Sequence, residues 1–127
     1  MMKTINSNNA PAAIGPYSQG IIADNLLFSA GQIPLDPKTM TLVEGTIEVQ
    51  TKQVLKNLDA ILEEAGTSWQ KVVKTTVFLT DLADFAQMNK TYAEHLNEAK
   101  PARSTVQVAA LPLGAKIEIE LVAKIEK

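Results

Sequence analysis

The sequence contains no cysteine, and its 127 residues include a single histidine, His95. Without cysteine the chain cannot form disulfides, thiolate zinc sites, iron–sulfur clusters or a cysteine nucleophile. One histidine excludes a multi-histidine metal site and weakens any Ser-His-Asp proposal. No apolar run approaches about 18 residues, so a membrane span is not expected. The first residues also lack the apolar core of a signal peptide, and we therefore expect a cytosolic protein.

An excess of basic residues is also missing, since 12 basic side chains stand against 14 acidic ones. A dedicated binder of nucleic acid or of acidic membranes usually carries a basic excess, so these partners are not expected. No glycine-rich phosphate loop leads into a helix, and the sequence predicts neither a cofactor nor a metal. The share of apolar residues, 46%, is typical of a globular protein. The length predicts one domain over residues 1–127.

Two segments show the 3.6-residue periodicity of amphipathic helices. The first is predicted over Ile47–Ala65, with Thr46 as the N-cap and Gly66 as the residue that ends the helix. The second is predicted from Leu82 to about Leu96, with Asp81 as its cap. His95 lies near the end of this second helix, and we interpret it as a structural residue.

Five segments are predicted to be strands from their β-branched or alternating apolar residues. They are Tyr17–Ala23, Leu26–Ser29, Val72–Thr80, Arg103–Ala110 and Lys116–Glu126. Asp24-Asn25 is typical of a hairpin turn between the first two strands. Asn6–Pro16 and Gly31–Gly45 contain proline and glycine and are predicted to be mainly loops. Along the chain, the predicted elements run strand, strand, helix, strand, helix, strand, strand, with paired strands at both ends. This order favours an α+β fold, a mixed sheet with two helices on one face.

The other face of this sheet would lie open. Strand 72–80 has apolar side chains on both of its faces, Val73, Val77 and Leu79 on one and Val72 and Phe78 on the other. Such a strand should be central and covered on both sides. Val72, Phe78 and Val122 would be apolar residues on the face without helices. We expect the chain to self-associate there, and symmetric homo-oligomers are the common outcome.

Two groups of charged residues could carry chemistry. Arg103 is the only arginine, and a guanidinium can hold a carboxylate with two parallel hydrogen bonds. Glu118 and Glu120 lie two apart on one strand and share a face, so either could be a general base. Each charge could equally be ordinary surface polarity, and the spacing alone does not choose.

Small residues mark two further candidates. Gly15, Pro16 and Gly20 surround Tyr17 and could aim its ring into a pocket, or could simply form a turn. The segment Ser29–Gly31 ends a predicted strand and could offer backbone N–H groups to an anion.

Longer motifs carry a family resemblance. The stretch PARSTVQVAALPLGAKIEIELVA, from Pro101 to Ala123, resembles the C-terminal signature of the RidA/YjgF/YER family of reactive-intermediate deaminases. APAAIGPYSQGI, from Ala10 to Ile21, resembles the family's N-terminal block. FSAGQIPLDP (Phe28–Pro37) and KVVKTTVFLTDLADFAQMN (Lys71–Asn89) resemble the middle blocks. The resemblance covers nearly the whole chain in collinear order.

The resemblance implies a fold like that of the trimeric bacterial chorismate mutase, with sites in the clefts between the subunits of a homotrimer. It implies hydrolysis of 2-imino acids, such as 2-iminopropanoate and 2-iminobutanoate, to 2-keto acids and ammonia. These imines and their enamine tautomers are released by pyridoxal-phosphate-dependent dehydratases. The reaction needs no cofactor and no metal.

The resemblance also assigns site residues. Arg103 would hold the substrate carboxylate, and Glu120 would position or activate the attacking water. The other matching cleft positions are Tyr17, Ser29, Gly31 and Asn89. Thr105 stands where many members have cysteine, a substitution that the imine chemistry tolerates. The same resemblance leaves two alternatives open, a regulator that binds small metabolites without catalysis and a ribonuclease that inhibits translation.

Overall fold

The computed structural model describes residues 2–126, which form eight strands and two α-helices. The strands are β1 (Met2–Ile5), β2 (Gly20–Ala23), β3 (Leu26–Ser29), β4 (Leu35–Asp36), β5 (Thr41–Leu42), β6 (Val72–Leu79), β7 (Ala102–Gln107) and β8 (Ile117–Lys124). The helices are α1 (Ile47–Ala65) and α2 (Phe85–Leu96). Three short 3₁₀ turns complete the secondary structure, at Trp69–Lys71, Leu82–Asp84 and Pro112–Gly114.

Six strands form one mixed sheet in the order β1-β2-β3-β8-β6-β7. Only β6 and β7 run parallel, and the other neighbours are antiparallel. Both helices pack on one face, where Ile117, Ile119 and Leu121 of β8 are buried. The predicted α+β fold, a mixed sheet with two helices on one face, is confirmed. No helix within residues 2–126 is long and apolar enough to cross a membrane.

The helix boundaries follow the residues that predicted them. The Thr46 hydroxyl accepts a hydrogen bond from the Val49 N–H at 3.3 Å, and Gly66 adopts the left-handed conformation at the end of α1. Asp81 accepts a hydrogen bond from the Ala83 N–H, but it caps the 3₁₀ turn at Leu82–Asp84, and α2 itself begins at Phe85. The predicted second helix therefore contains a tighter first turn.

Several strands differ from the sequence prediction, and β7 ends at Gln107 rather than at Ala110. β1 was not predicted because only Ile5 of its four residues is buried, which leaves no alternating pattern. The predicted strand 17–23 begins only at Gly20, and residues 17–19 belong to the preceding loop. The short pair β4 and β5 lies within the segment 31–45 predicted to be mostly loop.

A β-bulge corrects the predicted faces of β6. Val72 pairs with Ala123, whereas Lys74 pairs with Val122, so Val73 is an extra residue between two consecutive partners. The bulge turns Val72 into the core and leaves Val73 48% exposed, the reverse of the expected placement. β6 is an inner strand, as expected, but helices cover it on one face only.

The face without helices carries apolar side chains. The sheet register sets Phe28 beside Val122 and Phe78 beside Val106. Phe28 and Val106 are exposed, and Phe78 and Val122 are partly exposed. These four residues are called the open apolar face below. The sequence predicts self-association on this face, and of these four residues it named Phe78 and Val122.

Candidate functional site

Arg103 extends from β7 toward α2. Its Nη1 donates a hydrogen bond to Asn89 Oδ1 at 2.8 Å, so two predicted site residues are in contact. The guanidinium carbon lies 4.8 Å from the centre of the Tyr92 ring and 5.6 Å from that of Phe85. The Tyr92 hydroxyl in turn shares a 2.7 Å hydrogen bond with Thr75 in β6. Two aromatic rings and an amide therefore hold the guanidinium in one orientation.

The charge of Arg103 has no counter-charge in the described chain. No carboxylate within residues 2–126 forms an ion pair with it, and its side chain is only half-buried. A guanidinium has five N–H donors, and Asn89 accepts from one nitrogen. A cavity of about 330 Å³ adjoins this group and is also lined by Tyr92 and Pro101. Arg103 is therefore available to bind an anion from outside the chain.

A second cavity, of about 550 Å³, lies on the other side of the sheet and contains the predicted residues Tyr17 and Gly31. We call it the glutamate cavity, because Glu118 is the one carboxyl among its lining residues within the described part of the chain. It is lined by Pro11, Ala12, Ile14, Tyr17, Ala30, Gly31, Gln32, Ile33, Leu35, Pro112, Leu113 and Glu118. Most of this lining is apolar, as is typical of small-molecule pockets.

Glu118 is the carboxylate in this cavity, and Glu120 is not. Glu118 is half-buried and packs directly against the Cα of Gly31, whereas Glu120 is exposed two residues along β8. Burial raises the pKa of Glu118, and the negative charge of Glu120 raises it further. Of the two glutamates, the cavity contains Glu118, whereas the resemblance assigned the attacking water to Glu120. The sequence could not separate the two because they share one strand face.

A bulge at the end of β3 shapes the wall beside Glu118. Phe28 pairs with Val122 and Gln32 bridges Ile119, so three residues of one strand face two of the other. The Ser29 hydroxyl accepts a hydrogen bond from the Leu121 N–H at 2.9 Å, which satisfies a donor that the bulge leaves unpaired. Ser29 thus supports the bulge from within the sheet.

The bulge also exposes a backbone donor. Ala30 N–H donates to Gln19 O, and Gln32 N–H donates to Ile119 O. Between them, the Gly31 N–H has no acceptor within residues 2–126. It lies beside the Glu118 carboxyl, so a polar ligand there would meet both a donor and a carboxylate.

Tyr17 belongs to a loop that one buried glutamine holds in place. Gln19 is 2% exposed, and its Nε2 donates to Pro11 O at 2.8 Å and to Ser7 O at 3.1 Å. Its Oε1 accepts a hydrogen bond from the Ser7 N–H. Tyr17 itself is 53% exposed at the cavity. Gln19 is the positioning residue of this loop, and sequence reasoning missed it.

Leu113 is another residue that sequence reasoning missed. Its backbone is left-handed, with φ 60° and ψ 19°, which costs a non-glycine residue about 1–2 kcal/mol. Its side chain is nevertheless 67% exposed at the glutamate cavity. The glycine that follows it, Gly114, marks a turn in the sequence but gives no indication that a leucine adopts this conformation.

The two halves of the predicted site lie on opposite faces of the sheet. Arg103 pairs in register with Thr75, a fully buried residue on the helix face, and so points to that face. Glu118 alternates with Ile117 and Ile119, which are buried on the helix face, and so points to the open face. Within one chain, the structure does not bring Arg103 and the glutamate cavity together.

Thr105 lies on the Arg103 side of the sheet, two residues further along β7. Its hydroxyl oxygen is buried and has no hydrogen-bond partner in the described residues. His95 lies away from both cavities, where its Nε2 contacts Asp59 Oδ1 at 2.8 Å. The same oxygen accepts from Trp69 Nε1 at 2.7 Å, an arrangement that fits the structural interpretation of His95. Within residues 2–126, no cluster of three potential metal ligands occurs.

Comparison with known proteins adds the family. The sequence model of the family described as Endoribonuclease L-PSP matches residues 7–125. A RutC family protein of Synechocystis is 56% identical over 96% of this chain and 95% of its own length. A mouse protein named 2-iminobutanoate/2-iminopropanoate deaminase is 47% identical over 95% of this chain and 90% of its own.

A solved structure confirms the fold expected from the resemblance. The crystal structure of Escherichia coli TdcF with bound serine superimposes with a TM-score of 0.93. The two sequences are 42% identical, and the match covers 98% of this chain and 99% of that one.

Proposed function

This chain belongs to the Endoribonuclease L-PSP family, which includes reactive intermediate deaminases, and we propose that it hydrolyses 2-imino acids to 2-keto acids and ammonia. The half-buried carboxyl of Glu118 is the observation that carries the proposal. It faces a small cavity beside an unpaired backbone donor, as a group that handles protons should. We further propose that the reaction takes place in the cytosol.

Arg103 binds the substrate carboxylate in this proposal. A 2-imino acid is a small planar anion, and a guanidinium matches a carboxylate with two parallel hydrogen bonds. Arg103 has no competing carboxylate in the described residues, and Asn89 and Tyr92 fix its plane. The crystal structure of Escherichia coli TdcF with bound serine supports this proposal, because serine carries an α-carboxylate.

Glu118 activates the attacking water. Starting from the protonated imine, the carboxylate accepts a proton from the water as the water oxygen bonds to the imine carbon and the C=N π electrons move to nitrogen, which gives a neutral tetrahedral amino alcohol. The protonated carboxyl then gives this proton to nitrogen. Ammonia leaves as the C–N bond breaks and the C=O bond forms, and the hydroxyl proton passes to the Glu118 carboxylate, which releases it to ammonia or to solvent. A raised pKa of Glu118 suits both proton transfers, because the carboxyl group must first accept a proton and then release it.

The remaining site residues orient the reactants. The Gly31 N–H donates to the water or to the substrate, and Ser29 holds the bulge that presents it. Tyr17 closes one side of the glutamate cavity. Thr105, whose buried hydroxyl has no partner in the described residues, lies on the Arg103 side of the sheet. Imines also hydrolyse unaided, so positioning and modest acid–base help are sufficient for catalysis.

The proposal requires more than one copy of the chain. Arg103 and Glu118 lie on opposite faces of one sheet, so a complete site needs Arg103 from one subunit and Glu118 from its neighbour. The open apolar face supplies a surface for the contact. We propose a homotrimer with three equivalent clefts, as the family resemblance implies.

Ammonia release from an imine generated in situ tests the proposed function. An L-amino acid oxidase acting on alanine supplies 2-iminopropanoate, and the rate is measured with the protein and with E118Q at equal concentration. The proposal predicts rapid release only with the parent protein. Parent rates equal to the uncatalysed rate would overturn it. Pyruvate binding without turnover would then favour the regulator, and cleavage of a plain RNA would favour the ribonuclease.

A further inference from the structure

We propose that Leu113 and Ile14 bind the side chain of the substrate, so that the site favours 2-imino acids with branched, leucine-sized side chains. The inference rests on the proposed function and names the part of the substrate that the glutamate cavity receives.

Nothing in the fold of the chain requires a leucine at position 113. Its left-handed backbone disfavours any residue with a Cβ, and glycine would relieve the strain. A buried leucine could offset that strain by packing in the core, but Leu113 is among the most exposed large apolar residues of the chain. Backbone strain that packing does not offset is typical of functional positions.

Ile14 shows the same pattern on the opposite loop. Its side chain is 78% exposed, yet the loop that carries it is fixed by the buried Gln19. Ile14 and Leu113 line the same cavity as Glu118. The loop fixed by Gln19 and the turn at Pro112–Gly114 therefore present exposed apolar groups around one carboxylate.

The cavity is larger than the smallest substrates require. Its volume of about 550 Å³ falls within the range typical of drug-sized ligands. A methyl or ethyl side chain would leave most of the apolar wall in contact with water, including Ile33 and Leu35. A branched aliphatic side chain covers this wall and adds no charge beside Glu118.

Two substitutions of Leu113 test the inference. L113A removes the side chain but keeps a Cβ on the strained backbone, whereas L113G removes both. V49A truncates a different exposed apolar residue, on α1 and outside both cavities, and is the control. For each variant, kcat/KM is measured with the imines that an L-amino acid oxidase forms from leucine and from alanine. Light scattering follows the oligomeric state of each variant.

The parent protein should prefer the leucine-derived imine. L113A and L113G should each lower kcat/KM for that imine about tenfold and change the alanine-derived rate less than twofold. V49A should leave both rates unchanged. Equal losses on the two imines, or dissociation of the oligomer, would overturn the inference and assign Leu113 to the subunit contact. If the parent protein hydrolyses neither imine, that result would instead overturn the proposed function.

Discussion

Gly31 and Glu118 share one small space, because a side chain on residue 31 would occupy the position of the Glu118 carboxyl. The glycine is not at a positive φ, so its role is the close approach rather than an unusual backbone. The bulge at Ser29–Gly31 and the carboxylate on β8 therefore form a single unit.

G31A should displace the Glu118 carboxyl without unfolding the chain. Misplacing a catalytic group by about 1 Å can cost on the order of a hundredfold in rate. We expect kcat to fall by roughly that amount while the circular dichroism spectrum and oligomeric mass stay unchanged. G20A is not a suitable control because Gly20 packs tightly in the core, so G15A, whose added Cβ would make only an ordinary contact with Tyr17, serves instead. G15A should retain most activity, and a fully active G31A would show that this contact is unimportant.

R103K should keep the charge and lose most activity. Lysine cannot form the two parallel hydrogen bonds, and the loss of a charged hydrogen bond costs about 1.5–3 kcal/mol. We therefore expect kcat/KM to fall roughly ten- to hundredfold. Titration calorimetry with pyruvate should show weaker binding by a similar factor. Parental rates and affinities in R103K would exclude Arg103 as the carboxylate anchor.

The oligomer should depend on the open apolar face. V106E places a charge on that face, and V49E places the same charge on α1, where the native valine is equally exposed at 41%. Light scattering at micromolar concentration should give a trimer for the parent and for V49E, and a monomer for V106E. A monomeric parent would contradict both the trimer and a site shared between subunits.

The ionised carboxylate of Glu118 should lower the stability of the folded chain at neutral pH. Its pKa is raised in the folded chain, so folding favours the protonated form, and the penalty grows as the pH rises from the unfolded value of about 4.3 through the folded pKa. E118Q should therefore raise the melting temperature at pH 7 and have little effect at pH 3.5. E120Q should give a smaller gain. If E118Q lowered the melting temperature at pH 7, the carboxylate would be stabilising in its present environment.

The sequence predicts elements whose determinants are local. Thr46 and Gly66 bound α1 as expected because capping depends on adjacent residues. The bulge at Val73 could not be predicted, because its cause is the pairing of Val72 and Lys74 with Ala123 and Val122, which lie far away in the sequence. The faces of Val72 and Val73 were reversed for that reason.

The candidate site shows the same division. Arg103 and Asn89 were both selected from sequence, and the structure joins them with a hydrogen bond. The choice between Glu118 and Glu120 depends on the wall formed by the distant Gly31, which alternation along one strand cannot reveal. Gln19 and Leu113 lie within the stretches that carry the resemblance, but only their burial and backbone geometry reveal these roles.

The pH dependence of kcat/KM for E118Q and E120Q tests the central claim most directly. Each variant is compared with the parent on 2-iminopropanoate, after subtraction of the uncatalysed rate. E118Q should lose about a hundredfold or more, since it cannot accept the proton from water. E120Q should stay near the parental rate, with its acid limb moved to lower pH, because removing the Glu120 charge lowers the pKa of Glu118. Loss of activity in E120Q together with full activity in E118Q would contradict the account.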